Sequence, residues 1–241
     1  MKLNLLIVGG GSSLGLGLAK KMILEGHNLC LITSKKNIDL PPRKNVKVIP
    51  TKLENSDDVR ATCINIFKEF NSFDVIFYNI GGGLGMSDTM ISFDDFSKVL
   101  WFNFGVIQEF NRLMIPKIKP SGKIICIGSI ATRQLIGSLG YTVAKTALET
   151  YVRFLGKELI PKKISIMALS IGAYWEKGNA MDRLKLRKPA IYNDFIETRL
   201  PRKKMATTEE IIPFISHFCV TDTSILSGSV IPMDGAENIS L

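Results

Sequence analysis

The chain has 241 residues, 46% apolar and 22% charged, with a formal net charge of +9. That composition supplies a full core for one α/β domain over residues 1–241 and excludes a disordered chain. No apolar run approaches the roughly 18 residues of a membrane span. The Leu3–Val8 run is too short for a signal-peptide core, so a cytoplasmic protein with no membrane partner is expected.

Cys30, Cys63, Cys126 and Cys219 lie far apart with no Cys-x-x-Cys, and read as buried apolar residues rather than disulfides or zinc ligands. Two histidines, His27 and His217, leave little room for a histidine-based triad or metal centre. The basic surplus concentrates in residues 173–205, with nine Lys/Arg against four Asp/Glu. Aromatic residues do not interleave with those cations, so no nucleic-acid partner is expected. The segment reads as solvated basic surface or as an anion-binding flap.

In chain order, Leu3–Val8 has the length and apolarity of a strand. Gly9-Gly10-Gly11-Ser12-Ser13-Leu14-Gly15-Leu16-Gly17 follows, then Leu18, Ala19, Met22 and Ile23 at helical spacing. A glycine-rich turn on the first strand, opening a helix, brings backbone N–H groups to a pyrophosphate. Leu29–Thr33 is a second strand, ending at Ser34-Lys35-Lys36. An acid at that end would select NAD; none precedes Asp39, and Ser34 with Lys35 suits a 2′-phosphate. NADP(H) is therefore preferred, with NAD(H) the alternative.

Val46–Pro50 is a third strand, and a helix beyond Ser56-Asp57 carries Val59, Cys63, Ile66, Phe67 and Phe70. Asp74–Tyr78 is the fourth strand, continued by Asn79-Ile80-Gly81-Gly82-Gly83, a second glycine cluster at a strand's C-terminal end. The next helix holds Phe96, Val99, Leu100, Phe102 and Phe104, with the amide Asn103 among them. Lys123–Ile127 is the fifth strand, leading to Gly128-Ser129-Ile130; Ile164–Leu169 is the sixth, leading to Gly172; Gly228–Met233 is a short seventh. Strands alternating with helices predict a Rossmann-type, doubly wound parallel sheet of about seven strands with helices on both faces.

Between the fifth and sixth strands, Gly140–Leu159 reads as one helix, with Val143, Ala147, Leu148, Val152, Leu155 and Leu159 at helical spacing. Tyr141 and Lys145 are four apart and project from one side. A phenol titrates near pH ~10, and an ammonium one turn away lowers that value. The pair makes a general acid–base group for a carbonyl or alcohol oxygen.

Taken together the residues resemble the classical short-chain dehydrogenase/reductase family over nearly the whole chain. Gly10–Gly17 resembles its glycine turn, with glycine in place of the usual threonine. Asn79-Ile80-Gly81 resembles its Asn-x-Gly element, Asn103, Ser129, Tyr141 and Lys145 its active-site tetrad, and Gly228–Gly235 its C-terminal ending. The resemblance implies Tyr141 as acid–base residue, with Lys145 lowering its pKa and holding the nicotinamide ribose. Ser129 would bond the substrate oxygen, and Asn103 would hold a relaying water. Gly11, Ser12, Ser13, Leu14, Gly15, Leu16, Ser34, Lys35, Leu53, Asn79, Gly81, Tyr141, Lys145 and Gly172 would contact the cofactor, with no metal.

The pattern departs at Lys52-Leu53, where an acid often meets adenine, at Ile171 in place of proline, and at Glu176 in place of threonine. The implied activity is NADP-dependent hydride transfer between nicotinamide and a small-molecule carbonyl or secondary alcohol, like that of 3-oxoacyl-carrier-protein reductases. The basic segment 173–205 stands at the substrate flap and suggests an anionic substrate. The alternatives are a non-catalytic NADP(H) sensor or assembly subunit, and a carbohydrate-pathway dehydratase or epimerase. The resemblance also implies a homodimer or homotetramer pairing through the Gly140–Leu159 helix, with Tyr151, Phe154 and Leu155 either on the pairing face or packed in the core.

Overall fold

The computed structural model describes residues 2–134 and 136–238. The expected 1–241 span therefore includes Met1, Leu135 and residues 239–241, which lie outside the described residues. Seven strands form one parallel sheet: β1 (Asn4–Val8), β2 (Asn28–Thr33), β3 (Val46–Pro50), β4 (Phe73–Tyr78), β5 (Ile118–Ile127), β6 (Ser165–Ile171) and β9 (Val230–Met233). Their spatial order is β3-β2-β1-β4-β5-β6-β9. The chain starts at the centre, winds outward to β3, then returns past β1 to the other edge. This is the doubly wound sheet that the strand–helix alternation predicts.

Two apolar layers cover the sheet because its strands present alternate residues to opposite faces. Leu6 and Val8 of β1 join one layer, with α2 (Ser56–Phe67), α4 (Val106–Met114) and α6 (Leu139–Leu159) packed over it through Cys63, Phe110, Leu148 and Val152. Leu5 and Ile7 join the other, with α1 (Ser13–Leu24) and α9 (Thr208–Val220) packed over it through Leu18, Met22, Ile212 and Ile215. The four cysteines are buried in these layers with free thiols, as their spacing predicts. His27 is buried too, its Nδ1 accepting from the Leu3 N–H at 3.1 Å.

Some boundaries differ from the sequence reading. The fifth strand begins at Ile118 rather than Lys123, with a register shift against β4 between Phe73 and Val75. The sixth runs on to Ile171, because Ser170 and Ile171 pair with Pro232 and Met233. The helix expected after Ser56-Asp57 starts at Ser56: Asn55 caps it, accepting from the Asp57 and Asp58 N–H groups while Asp58 bonds back to the Asn55 N–H. Val143 faces out, 41% exposed, although its spacing places it with the core residues of α6.

Residues 173–205 carry regular structure of their own: β7 (Tyr174–Trp175), α7 (Ala180–Arg187) and α8 (Pro189–Arg199). β7 pairs in parallel with β8 (Ala206–Thr207), apart from the main sheet. Tyr192, Leu200 and Met205 form a small third core there, with Trp175 and Phe195 against it. No helix among the described residues is long and apolar enough to cross a membrane.

Candidate active site

The C-terminal ends of β1, β4, β5 and β6 open onto one cleft of about 690 Å³. Seven residues singled out in the sequence line it on the sheet side: Ser12, Ser13, Asn79, Gly81, Ser129, Tyr141 and Lys145. Gly172 lines its far side.

The β1–α1 turn is held by its backbone. The Gly9 and Gly10 N–H groups both donate to the Ile32 carbonyl, and Asn79 Nδ2 donates to the Gly9 and Ser12 carbonyls at 3.3 Å. A Cβ on Gly15 would lie 2.2 Å from the Gly9 carbonyl oxygen, so only glycine lets the helix come this close to the strand. The first turn of α1 has no side-chain cap and no acidic residue. Its N–H groups and positive dipole end are thus free for an anion, which fits a pyrophosphate. Gly11, Leu14, Gly15 and Leu16 shape this turn from behind the cleft wall.

Asn103 is fully buried in a π-helical turn, Trp101–Gly105, which joins α3 (Phe93–Leu100) to α4. The turn frees its amide for the glycine loop beyond β4. Nδ2 donates to the carbonyls of Val99 and Gly82, and Oδ1 accepts from the Gly82 N–H at 2.9 Å. Asn103 therefore stands behind the cleft wall and fixes it. Gly81 makes this arrangement possible. Its φ is +143°, and a Cβ there would lie 2.5 Å from Asn103 Oδ1 and 2.9 Å from Lys145 Nζ.

The helix α6 delivers Tyr141 and Lys145 one turn apart, as their spacing predicts. Lys145 is 2% exposed; its Nζ donates to the Ile127 carbonyl at 2.8 Å and the Ile80 carbonyl at 3.4 Å. Burial pushes its pKa down to about 8, against smaller opposing effects of Cys126 and Glu149. The expectation that Lys145 pulls the tyrosine pKa down needs correction. Burial dominates at Tyr141 and holds the phenol above its ordinary value, a hydrogen bond from the Ser129 side chain lowers it, and Tyr174 and Glu149 raise it. The lysine Nζ is 5.9 Å from the Tyr141 ring centroid, and its own charge is weakened by the same desolvation.

Ser34 and Lys35 are exposed at the end of β2, outside the cleft proper; the Lys35 N–H donates to Thr33 Oγ1. Asp39, the first acid after that strand, is paired with Lys20 at 2.5 Å. Leu53 also lies away from the cleft, packed against the core, its carbonyl accepting from Trp101 Nε1.

The far wall holds Tyr174 and Glu237, which the sequence reading did not single out, along with Glu176, which it did. The Tyr174 hydroxyl meets Ser13 Oγ at 2.7 Å, across the mouth of the glycine turn. Glu237 is 3% exposed, and its Oε2 accepts from the Ala173 N–H at 2.7 Å. Glu176 stands near enough to Tyr174 to raise its pKa, and its Oε2 is buried without a hydrogen-bond partner. Of the flap cations, Arg183 lines the cleft. Others are engaged elsewhere: Arg202 and Lys204 with Glu210, Arg199 with Gln134, and Lys185 over the Trp175 and Tyr192 rings. Glu149 was also missed, although it repeats the four-residue spacing that links Tyr141 to Lys145.

A family model described as enoyl-(acyl carrier protein) reductase matches residues 9–236. Levodione reductase of Leifsonia aquatica is 28% identical, over 97% of this chain and 93% of its own. The 3-oxoacyl-(acyl-carrier-protein) reductase of Buchnera aphidicola is 25% identical, over 95% of this chain and 94% of its own. The crystal structure of L-sorbose reductase from Gluconobacter frateurii, complexed with NADPH and L-sorbose, superimposes with a TM-score of 0.87 at 18% identity, covering 100% of this chain and 98% of its own.

Proposed function

The chain belongs to the short-chain dehydrogenase/reductase family, and we propose on that premise that it is an NADP(H)-dependent carbonyl reductase working through Tyr141. The observation that carries the proposal is the convergence of Ser129, Tyr141 and Lys145 on the cleft that the uncapped α1 turn also faces. A bound nicotinamide supplies or accepts the hydride at the substrate carbon. The residues of the chain handle the oxygen. Tyr141 gives its phenolic proton to the carbonyl oxygen, or takes it back in the alcohol direction. Ser129 donates a hydrogen bond to the same oxygen. Lys145, anchored on the Ile127 and Ile80 carbonyls, keeps a further N–H for the ribose hydroxyls. Asn103 holds the glycine loop rigid behind them.

The preference for NADP(H) over NAD(H) rests on Ser34 and Lys35, exposed beside the glycine turn, and on Asp39 being occupied by Lys20. Arg183 in the cleft wall supports a substrate with an anionic group. Phe154, 73% exposed on α6, supports pairing of two copies through that helix. A homodimer or homotetramer follows, and sedimentation at the 26.7 kDa of one chain would remove it.

A non-catalytic NADP(H) binder is the second reading, favoured by Glu176, whose Oε2 is buried without a hydrogen-bond partner and whose charge acts on Tyr174. One experiment separates the two. NADPH oxidation is followed with 3-oxoacyl thioesters, hydroxyketones and cyclic diketones. We expect Tyr141→Phe to lose about 10²–10⁴-fold in kcat and to keep its NADPH affinity. NADPH binding without turnover on any carbonyl selects the second reading, and undiminished turnover by Tyr141→Phe removes the role of the tyrosine.

A further inference from the structure

Glu149 stands on α6 one turn beyond Lys145, so Tyr141, Lys145 and Glu149 make one row at four-residue spacing. Its side chain is buried, 5% exposed. Oε1 lies 3.1 Å from Thr132 Oγ1, whose single proton is shared with the Ser129 carbonyl at 3.0 Å, and the Ser129 backbone stands near enough to lower the carboxyl pKa. Thr132 belongs to α5 (Ala131–Gln134), and Ser129 to the turn that leads into it from β5. The Ala131 N–H donates to Ser129 Oγ at 3.2 Å, so the hydroxyl is oriented within that same turn. A Cβ on Gly128 would come 3.2 Å from Glu149 Oε1, which places the carboxylate against the backbone just before Ser129.

We propose that Glu149 is a positioning residue: its carboxylate clamps the Ser129 turn onto the helix that carries Tyr141 and Lys145, and so fixes the serine hydroxyl relative to the phenol. This rests on the proton-transfer reading of Ser129 and Tyr141 above. The clamp has an electrostatic signature. Tyr141 is faced by Ser129, Tyr174 and Glu149, and Lys145 by Cys126 and Glu149; the Glu149 charge raises the pKa of both. Arg133 and Arg153 face the carboxylate and lower its own pKa, but burial outweighs them and holds it above the ordinary glutamate value.

Two variants test the assignment. Glu149→Gln keeps an oxygen acceptor and loses the charge; Glu149→Ala loses both. We expect kcat within about threefold of wild type for Glu149→Gln and about tenfold to hundredfold lower for Glu149→Ala, with the KM for NADPH little changed. The ionisation midpoint of Tyr141, read as the difference spectrum between each protein and its Tyr141→Phe counterpart, moves to lower pH in both. A merely structural prop would leave that midpoint where it is. Should Glu149→Ala fail to fold, Thr132→Val removes the hydroxyl that meets Glu149 and gives a smaller loss of kcat in the same direction. Wild-type kcat in Glu149→Ala, or an unmoved Tyr141 midpoint in Glu149→Gln, overturns the proposal. The spectroscopic arm needs no substrate, so it still reads the Glu149 effect if wild type turns over no carbonyl and the enzymatic reading fails.

Discussion

The near and far walls of the cleft are held by different means. In the near wall, from the β1–α1 turn through Gly81–Gly82 to α6, each contact fixes a backbone group: glycine N–H groups bond the Ile32 carbonyl, the Asn103 amide holds both sides of Gly82, and Lys145 Nζ bonds two carbonyls. The far wall depends on side chains reaching across. Tyr174 meets Ser13, Glu237 takes the Ala173 N–H, and Trp175 and Gly178 both bond Asp182. A backbone-fixed wall gives a single geometry with little room for adjustment. A wall of reaching side chains can be retuned one residue at a time, which suits the side that must fit a particular substrate.

Gly81→Ala strikes the near wall hardest. The added Cβ meets Asn103 Oδ1 and Lys145 Nζ inside contact distance, at a positive φ that alanine rarely adopts. We expect about 1–3 kcal/mol of lost stability in chemical denaturation and roughly a hundredfold lower kcat, as expected for a misplacement of about 1 Å at a reacting group. Gly82→Ala is the control within the loop, since a Cβ there meets nothing within 4 Å, although its φ of +144° still strains the backbone. Equal losses of kcat in the two variants would mean that the near wall is looser than its contacts show.

Lys145 makes the next test, because burial gives opposite pH trends to stability and to activity. Its pKa falls from the ordinary 10.5 to about 8 in the folded chain. Between those values the unfolded state binds the proton and the folded state does not, so unfolding free energy rises with pH there. The burial penalty is fully present below about pH 8 and is relieved as pH climbs. At about 1.4 kcal/mol per unit, the interval amounts to roughly 3 kcal/mol. Turnover runs the other way, falling as the ammonium loses its proton above about pH 8. Denaturation and pH–rate profiles of wild type and Lys145→Met give both trends; the variant should lack the local rise in stability.

The same division explains what the sequence made legible. Backbone-built features need special residues at fixed offsets. The glycines of the β1–α1 turn, Asn79 and Gly81 after β4, and the Tyr141–Lys145 spacing could all be read before any coordinates, as could the parallel sheet. The far wall offers no such offsets. Tyr174 reaches Ser13 across 161 positions of sequence and Glu237 reaches Ala173 across 64, contacts that only the fold creates. The basic count over 173–205 was visible, but not that most of those cations bond outside the cleft while Arg183 lines it. Glu149 was within reach, since it extends the Tyr141–Lys145 row by one more step. The sense of the Tyr141 pKa was not, because charge spacing is visible in a sequence and desolvation is not.

Cofactor choice tests the edge of the near wall with a moderate effect. Lys35→Glu replaces an exposed cation at the end of β2 with an acid. Losing one charge-assisted bond to a 2′-phosphate is worth about 1.5–3 kcal/mol, so we expect the KM for NADPH to rise by about tenfold or more while that for NADH changes little or falls. Parallel losses for both cofactors would place the ribose elsewhere.

The smallest expected effect lies on the far wall. Arg183→Gln removes a cation from the cleft lining, where its Nη1 also donates to the Gly178 carbonyl at 2.7 Å, whereas Lys188→Gln removes an exposed flap charge. If the basic surplus serves the substrate, it acts through the cation that faces the cleft. The Arg183 head remains partly in water, so its contribution to an anionic substrate is the modest one of a screened pair, about 0.2–1 kcal/mol. We expect kcat/KM for carboxylate-bearing carbonyls to fall by about twofold to fivefold in Arg183→Gln, to stay unchanged for neutral carbonyls, and to be indifferent to Lys188→Gln. Equal losses from both variants would instead assign the surplus to long-range attraction, and raising the salt concentration would then abolish the difference from wild type.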